Sequence, residues 1–311
     1  MLNKPYNQLG NSYSEIRPGL QFLIFTGIFI LILIVANIIG AGIILAVYGL
    51  KTVTALSNLN TAAPNFINAL WILQTAGTTV PIFATPLIFA YLIVRDPQDY
   101  IKPNFHFPQI LFFLVFAIMF AASPMIEFLS NLNQKMVLPP FLKWMRESED
   151  NADKITETML NMKSIRDMLG NVLLIGLVPA IVEEFMFRGC LQTIFTRWTK
   201  NTHAAIWITA ILFSAFHIEF FGFLPRLFLG LLFGYFVAWS GSIWTGVWAH
   251  FINNGTAVVV TYFYQKKITK LNPDDQHVFN YTGYLFSFII ILFLLFIFHR
   301  IAINKTQTPE Y

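Results

Sequence analysis

The sequence predicts an all-α, polytopic membrane protein, a bundle of about eight transmembrane helices, and three observations predict it. Only 12% of its 311 residues are charged and 56% are hydrophobic, with mean hydropathy +0.61, where soluble domains carry about 25% charged residues. Apolar runs of the length a spanning helix needs, about 20 residues, recur from one end of the chain to the other. The runs do not alternate in polarity, as the roughly ten-residue strands of a membrane barrel would. With 33 phenylalanines, a water-soluble fold of this size has nowhere to hide its apolar surface, so the bilayer is its solvent.

The first run, Pro18 to Leu50, has no charge and far exceeds the apolar stretch of a cleavable signal, about 7–15 residues. It reads as a first spanning helix over 20–48. Further helices are expected over 67–94, 109–130, 168–198, 203–220, 225–239, 242–262 and 280–299, the sixth of the eight being short. Most connectors are short too. The exception, 131–167, carries Pro139-Pro140 and the mixed run Arg146-Glu147-Ser148-Glu149-Asp150. It reads either as a solvated loop or short helix, or, around Phe141–Met145, as an amphipathic turn in the membrane interface. One integrated membrane domain results, with an N-terminal three-helix region and long loop (1–167), a helical core (168–265) and a last helix and tail (266–311).

The net charge of +4 is small and scattered, which argues against a nucleic-acid partner; basic residues beside spans set topology and meet lipid headgroups. Placing the N-terminus inside gives the inner side Lys4, Arg17, Arg95, Lys102, Arg197, Lys200, Arg300 and Lys305, and the outer short loops Lys51, Arg226, Lys266, Lys267 and Lys270. The 131–167 loop adds six positives to the outer side, balanced by acids. The expectation is N-in and C-in. The Asn-, Lys-, Phe- and Ile-rich composition is compatible with a bacterial inner membrane. The single cysteine, Cys190, rules out an internal disulfide and says nothing of redox compartment.

The functional signal is polar residues where hydrocarbon should be. Residues 181–189 read Ile-Val-Glu-Glu-Phe-Met-Phe-Arg-Gly and continue an uncharged run from Leu169 to Ala180. Ionisable residues inside a span are costly and mark function by default. Glu184 and Arg188 are four apart, on one helix face, and can pair; Glu183 points about 100° away. A carboxylate in an apolar bundle suits a general base. The bland alternative is an ion-pair cluster that only holds helices together. His217 lies four after Phe213, and Asn254 four after His250. Each pair also reads as packing or interhelical hydrogen bonding. Depth favours a shared site. Glu184 and His217 each lie about 16 residues, near 25 Å, from the turn at Lys200-Asn201, and His250 about nine residues, roughly 14 Å, past Gly241. The mismatch closes if the Thr196–Lys200 end of its helix protrudes from the bilayer. The groups together suit activation of a water molecule, with an Asn amide and a histidine N–H available to an oxyanion. Glutamate and histidine also ligate zinc, but the H-E-x-x-H pattern of soluble zincins is absent.

Glu183-Glu184-x-x-Phe187-Arg188-Gly189, then Phe213-x-x-x-His217, then His250-x-x-x-Asn254 resemble the three ordered motifs of the CPBP family, the CAAX-processing and bacteriocin-processing (abortive-infection) intramembrane proteases. The resemblance covers about residues 168–265, with no departure at the motif positions. It implies an endopeptidase buried in an eight-helix bundle, glutamate-type or metal-assisted. It implies that Glu183 and His217 activate water, that His250 and Asn254 stabilise the oxyanion, and that Glu184 and Arg188 orient them. If a metal takes part, the ligand set is Glu184, His217 and His250 on zinc. The expected partners are a peptide or protein substrate and membrane lipids, and the site is expected to open on the cytoplasmic side, toward Arg197 and Lys200. Two other readings use the same residues: a proton-coupled transporter or channel, though paired broken helices of an inverted repeat are not evident, and a catalytically silent membrane scaffold.

Overall fold

The computed structural model describes residues 16–273, 275 and 277–304; Lys4 and Lys305 of the topology count lie outside them. The long helices are α1 (Pro18–Tyr48), α2 (Phe66–Ile93), α3 (Ile110–Gln134), α4 (Lys143–Met159), α5 (Ile165–Thr199), α6 (Thr202–Phe216), α7 (Phe223–Ser240), α8 (Ile243–Gln265) and α9 (Tyr281–Asn304). There is no strand among the described residues. All helices but α4 match the eight expected spans. Six of them, α1, α2, α3, α5, α7 and α9, are long and apolar enough to cross a membrane; α6 is apolar but shorter. The eighth, α8, carries His250, Asn253 and Asn254 within its length.

Local chemistry sets the turns that bracket the core. The left-handed Lys200 (φ 56°) ends α5, and the Asn201 side chain accepts the Ala204 N–H at 3.1 Å to start α6. Gly241 (φ 69°) ends α7, and Ser242 Oγ accepts the Trp244 N–H at 3.3 Å to start α8. Both are the usual pairing of a left-handed stop with a polar N-cap.

Two prolines explain two departures from α-geometry. Pro81 and Pro179 lack the N–H that would bond four residues back, to Gly77 and Ile175. Those residues lie in π-helical stretches, Thr75–Thr79 in α2 and Val172–Leu177 in α5. The Gly77 carbonyl is taken instead by Asn37 Nδ2 of α1, at 3.2 Å.

One apolar core joins α1, α2, α5 and α6 through Phe25, Phe89, Phe187 and Phe213. A second joins α3, α7, α8 and α9 through Val115, Phe236, Ala249 and Phe298. Between them α5 and α8 touch backbone to backbone: a Cβ on Gly176 would stand 3.2 Å from Gly255 Cα. Small residues at such crossings let membrane helices approach closely.

The two ends of the bundle differ. At the Lys200 end, Arg197 pairs with Asp99 and Asp96 and lies over the Tyr100 ring at 4.6 Å. Lys102 Nζ donates to Thr193 Oγ1 and to the Asp99 carbonyl. Burial pushes the Asp99 carboxyl up, but the Lys102 and Arg197 charges outweigh it and hold its pKa below the ordinary value. Helix α1 begins here, with Gln21 Oε1 accepting from the Tyr100 hydroxyl, and α9 ends here, with His299 against Trp239.

The opposite end carries α4. The mixed-charge segment that reads as a loop or short helix is in fact a 17-residue helix, preceded by a 3-10 turn at Pro140–Leu142. It packs on the 217–222 loop through Glu149, whose Oε2 accepts the Phe221 N–H at 3.2 Å, and through Arg146, 4.7 Å from the Phe221 ring centre. Burial pushes the Glu149 carboxyl above the ordinary carboxylate range. Asn133, at the end of α3, grips the same loop by the Phe220 carbonyl (2.8 Å) and the Leu224 N–H (2.6 Å).

Candidate active site

The expected i,i+4 pair forms and is fully buried. Arg188 Nη1 donates to Glu184 Oε1 at 2.7 Å, with both side chains at 0% exposure. Its Nη2 donates to the Gly230 carbonyl of α7 at 3.2 Å, and its guanidinium lies 4.2 Å from the Phe213 ring centre and 5.2 Å from that of Phe233. One turn on, Gln192 Nε2 repeats the rung to the Gly234 carbonyl at 3.2 Å. Arg188 lies in a further π-helical stretch, Phe185–Leu191, which Glu184 and Gln192 flank and which no proline explains. Single π turns inside α-helices are frequent at functional sites.

Glu184 Oε1 serves a second donor, His250 Nδ1 of α8, at 3.1 Å. A carboxylate only accepts, so the proton sits on Nδ1. His250 Nε2 then faces the neighbouring glutamate, 3.9 Å from Glu183 Oε2. Phe233 stacks on the His250 ring at 5.0 Å. The two adjacent glutamates are thus treated differently. Glu184 is fully buried with its Oε1 committed to Arg188 and His250, whereas Glu183 is 17% exposed; the buried Oε2 of each accepts no hydrogen bond from the described residues.

His217 caps the far end of α6 and is partly exposed. Its Nδ1 bonds the Phe213 carbonyl at 2.9 Å, which leaves Nε2 as the free basic nitrogen. It lies within electrostatic reach of Glu183, Arg226 and Glu219, the last two forming an ion pair. Asn254 is partly buried, and its Oδ1 accepts from Asn253 Nδ2 at 3.0 Å. Glu183, Glu184, Arg188 and His250 are therefore brought into one cluster with His217 at its edge, and Asn254 follows His250 by one turn of α8.

Sequence reasoning overlooked Phe233, the carbonyl of Gly230, the Gln192 rung, Asn253 and Gly246. Gly246 had a signal: it precedes His250 by four, as His250 precedes Asn254. A Cβ there would stand 2.7 Å from both Glu184 Oε2 and Val237 Cγ2. Gly246→Ala is expected to cost roughly 1–3 kcal/mol by overpacking and to lower activity by displacing Glu184. A purified variant with wild-type melting and turnover would show that the contact relaxes freely.

One expectation needs correcting. Between the site and Lys200, residues 186–195 of α5 are all buried and the charged cluster around Arg197 lies beyond them, which argues against an opening on that side. The partly exposed groups, Glu183, His217, Glu219, Arg226 and Asn254, face the end that carries α4. Depth counted from the Lys200 turn hides this, because α6 ends at His217 and not at 220. For the zinc set Glu184, His217 and His250, no three His, Cys, Asp or Glu side chains among the described residues are grouped to hold a metal. The Nδ1 atoms of both histidines are hydrogen-bonded, which leaves their Nε2 atoms and the unpartnered Glu184 Oε2 as the donors of that set.

A polytopic helical membrane protein with buried Glu, Arg and His at the meeting of α5, α6 and α8 is the class defined here. Residues 166–256 match the family model of type II CAAX prenyl endopeptidases, Rce1-like. The matched segment holds all three motifs, Glu183-Glu184-x-x-Phe187-Arg188-Gly189, Phe213-x-x-x-His217 and His250-x-x-x-Asn254, and over it the chain is similar to that family. Over 141 residues it is 27% identical to a Bacillus subtilis (strain 168) protein described as "Uncharacterized protein YpbD", covering 44% of this chain and 66% of the relative, just under two thirds of its length. No solved structure matches.

Proposed function

We propose that this chain is an intramembrane endopeptidase in which Glu183 is the base. Glu183 takes a proton from a water molecule as that water attacks a peptide carbonyl, and gives it back to the amine nitrogen as the C–N bond breaks. The free Nε2 of His217 assists, and Asn254 and His250 receive the oxyanion, His250 as an imidazolium whose Nδ1–H stays on Glu184 and whose Nε2–H faces the substrate. Arg188 holds Glu184, and Glu184 holds the His250 ring. The observation that carries this reading is the unequal environment of the two adjacent glutamates: environment divides roles between neighbouring carboxylates in hydrolases. The family match of residues 166–256 supports the reaction class. Incubating the purified protein with a peptide library, wild type beside Glu183→Ala, tests it. Cleavage lost in the variant supports the proposal. Absence of cleavage together with proton-coupled uptake in liposomes would make the protein a transporter instead.

Water activation by Glu183 and histidine needs no metal. Chelator dialysis is therefore expected to leave peptidase activity within about twofold, against the orders of magnitude that a zinc-activated water would lose. Complete loss, restored by added zinc, would require the two histidines and a glutamate to rearrange into a ligand set.

We further propose an N-in, C-in orientation, from the lysine and arginine bias of the loops. Because α1 begins and α9 ends at the Lys200 end, this puts the accessible, α4-bearing end on the outer face. After replacement of Cys190, a Lys200→Cys variant in intact cells is expected to escape an impermeant thiol reagent. Labelling without permeabilisation would reverse the orientation and give the site to the cytosol.

A further inference from the structure

The connector between α3 and α4, together with the first turn of α4, exposes an unusual surface. Met136, Val137, Phe141 and Trp144 are 45%, 89%, 78% and 54% exposed. They sit in a ten-residue stretch, 136–145, whose only charge is Lys143, with Lys135 just before it. None of the described residues covers them. The side chains that fasten α4 to the protein, Glu149 and Arg146, point to the Phe221 loop instead, and Arg146 is further committed to Asp150 at 3.1 Å.

We propose that residues 135–145 form a bilayer-surface anchor, with Met136, Val137, Phe141 and Trp144 sunk into the boundary between headgroups and acyl chains and Lys135 and Lys143 on lipid phosphates. Position argues for this occupant. Helix α3 is a span whose exposed Phe113, Phe116 and Phe120 face lipid. It ends at Gln134, so the stretch leaves the bilayer at its surface. Chemistry argues the same way: an apolar, aromatic face flanked by lysines is the composition that lies in a membrane interface. The acids Glu147, Asp150 and Asp153 begin only beyond Arg146, where α4 returns to water. Pro139, Pro140 and the 3-10 turn fix the backbone, so inserting it orders little that was free. The surface differs from the catalytic cluster, but α4 joins the two. Through Glu149 the anchored helix holds the Phe221 N–H, four residues past His217, and lipid contact thereby fixes the rim of the site. This inference stands whether or not the protein is a protease.

The test uses the full chain in nanodiscs containing anionic lipid, with a nitroxide attached singly at Val137→Cys or Phe141→Cys. Cys190 is fully buried and silent to the reagent. Leu132→Cys on α3 is the lipid reference and Lys154→Cys on α4 the aqueous one. Collision with oxygen is expected to exceed collision with a water-soluble nickel chelate at 137 and 141, as at 132 and opposite to 154. Nickel-dominated collision at both sites would overturn the anchor. So would protection from both reagents, which would place a second copy or another protein on the patch. Two label sites keep the test decisive if one variant fails to fold. In nanodiscs of purely zwitterionic lipid, the labels are expected to sit shallower; unchanged depth would overturn the part assigned to Lys135 and Lys143.

Discussion

Glu183→Gln is expected to lose roughly 10²–10⁴-fold of peptidase activity, the usual contribution of a general base, while the protein inserts, purifies and melts close to wild type. The substitution keeps the shape and removes the proton acceptor. Little stability should follow, because Glu183 is partly exposed and its Oε2 is bonded to none of the described residues. Glu184→Gln should behave differently, losing activity and stability together, since the Glu184 carboxylate holds both Arg188 and His250. Turnover of Glu183→Gln within a few-fold of wild type would move the base to Glu184 or sink the enzyme reading. Measuring both variants against one cleaved peptide separates these outcomes.

Arg188→Ala is expected to be the most destabilising single change in the site, by roughly 3–5 kcal/mol, the usual result of removing one partner of a buried ion pair. Glu184 would keep a charge at 0% exposure with His250 as its remaining donor, and the Phe213 and Phe233 faces would lose their cation. Arg188→Lys should rescue little. The fork reaches Glu184 and the Gly230 carbonyl at once, which a single ammonium on a flexible stem does not reproduce. Thermal unfolding in detergent at one fixed scan rate reads the difference. An unchanged midpoint for Arg188→Ala would mean that Glu184 finds another cation.

What the sequence could show was whatever is local. Each span is a run of composition, so eight helices could be read without knowing their neighbours; all eight segments are helical, and six of them are long and apolar enough to cross a membrane. The Glu184–Arg188 pair follows from helical spacing. The three motifs marked which apolar helices carry polar cargo. Helix α4 was harder to see, because its buried inward residue is Glu149, a charge that breaks the apolar stripe from which an amphipathic helix is recognised.

The sequence by itself thus determined a membrane-spanning helical bundle, its helices and the polar residues to be gathered from three of them. Only the tertiary structure decided which glutamate is committed and which is free, that His250 meets both, that Gly246 must lack a side chain, and that the accessible end is the one carrying α4. Those outcomes depend on how far each helix slides along its neighbours and how π turns rotate its faces. Contacts between residues far apart in the chain set both, and no window of sequence contains them.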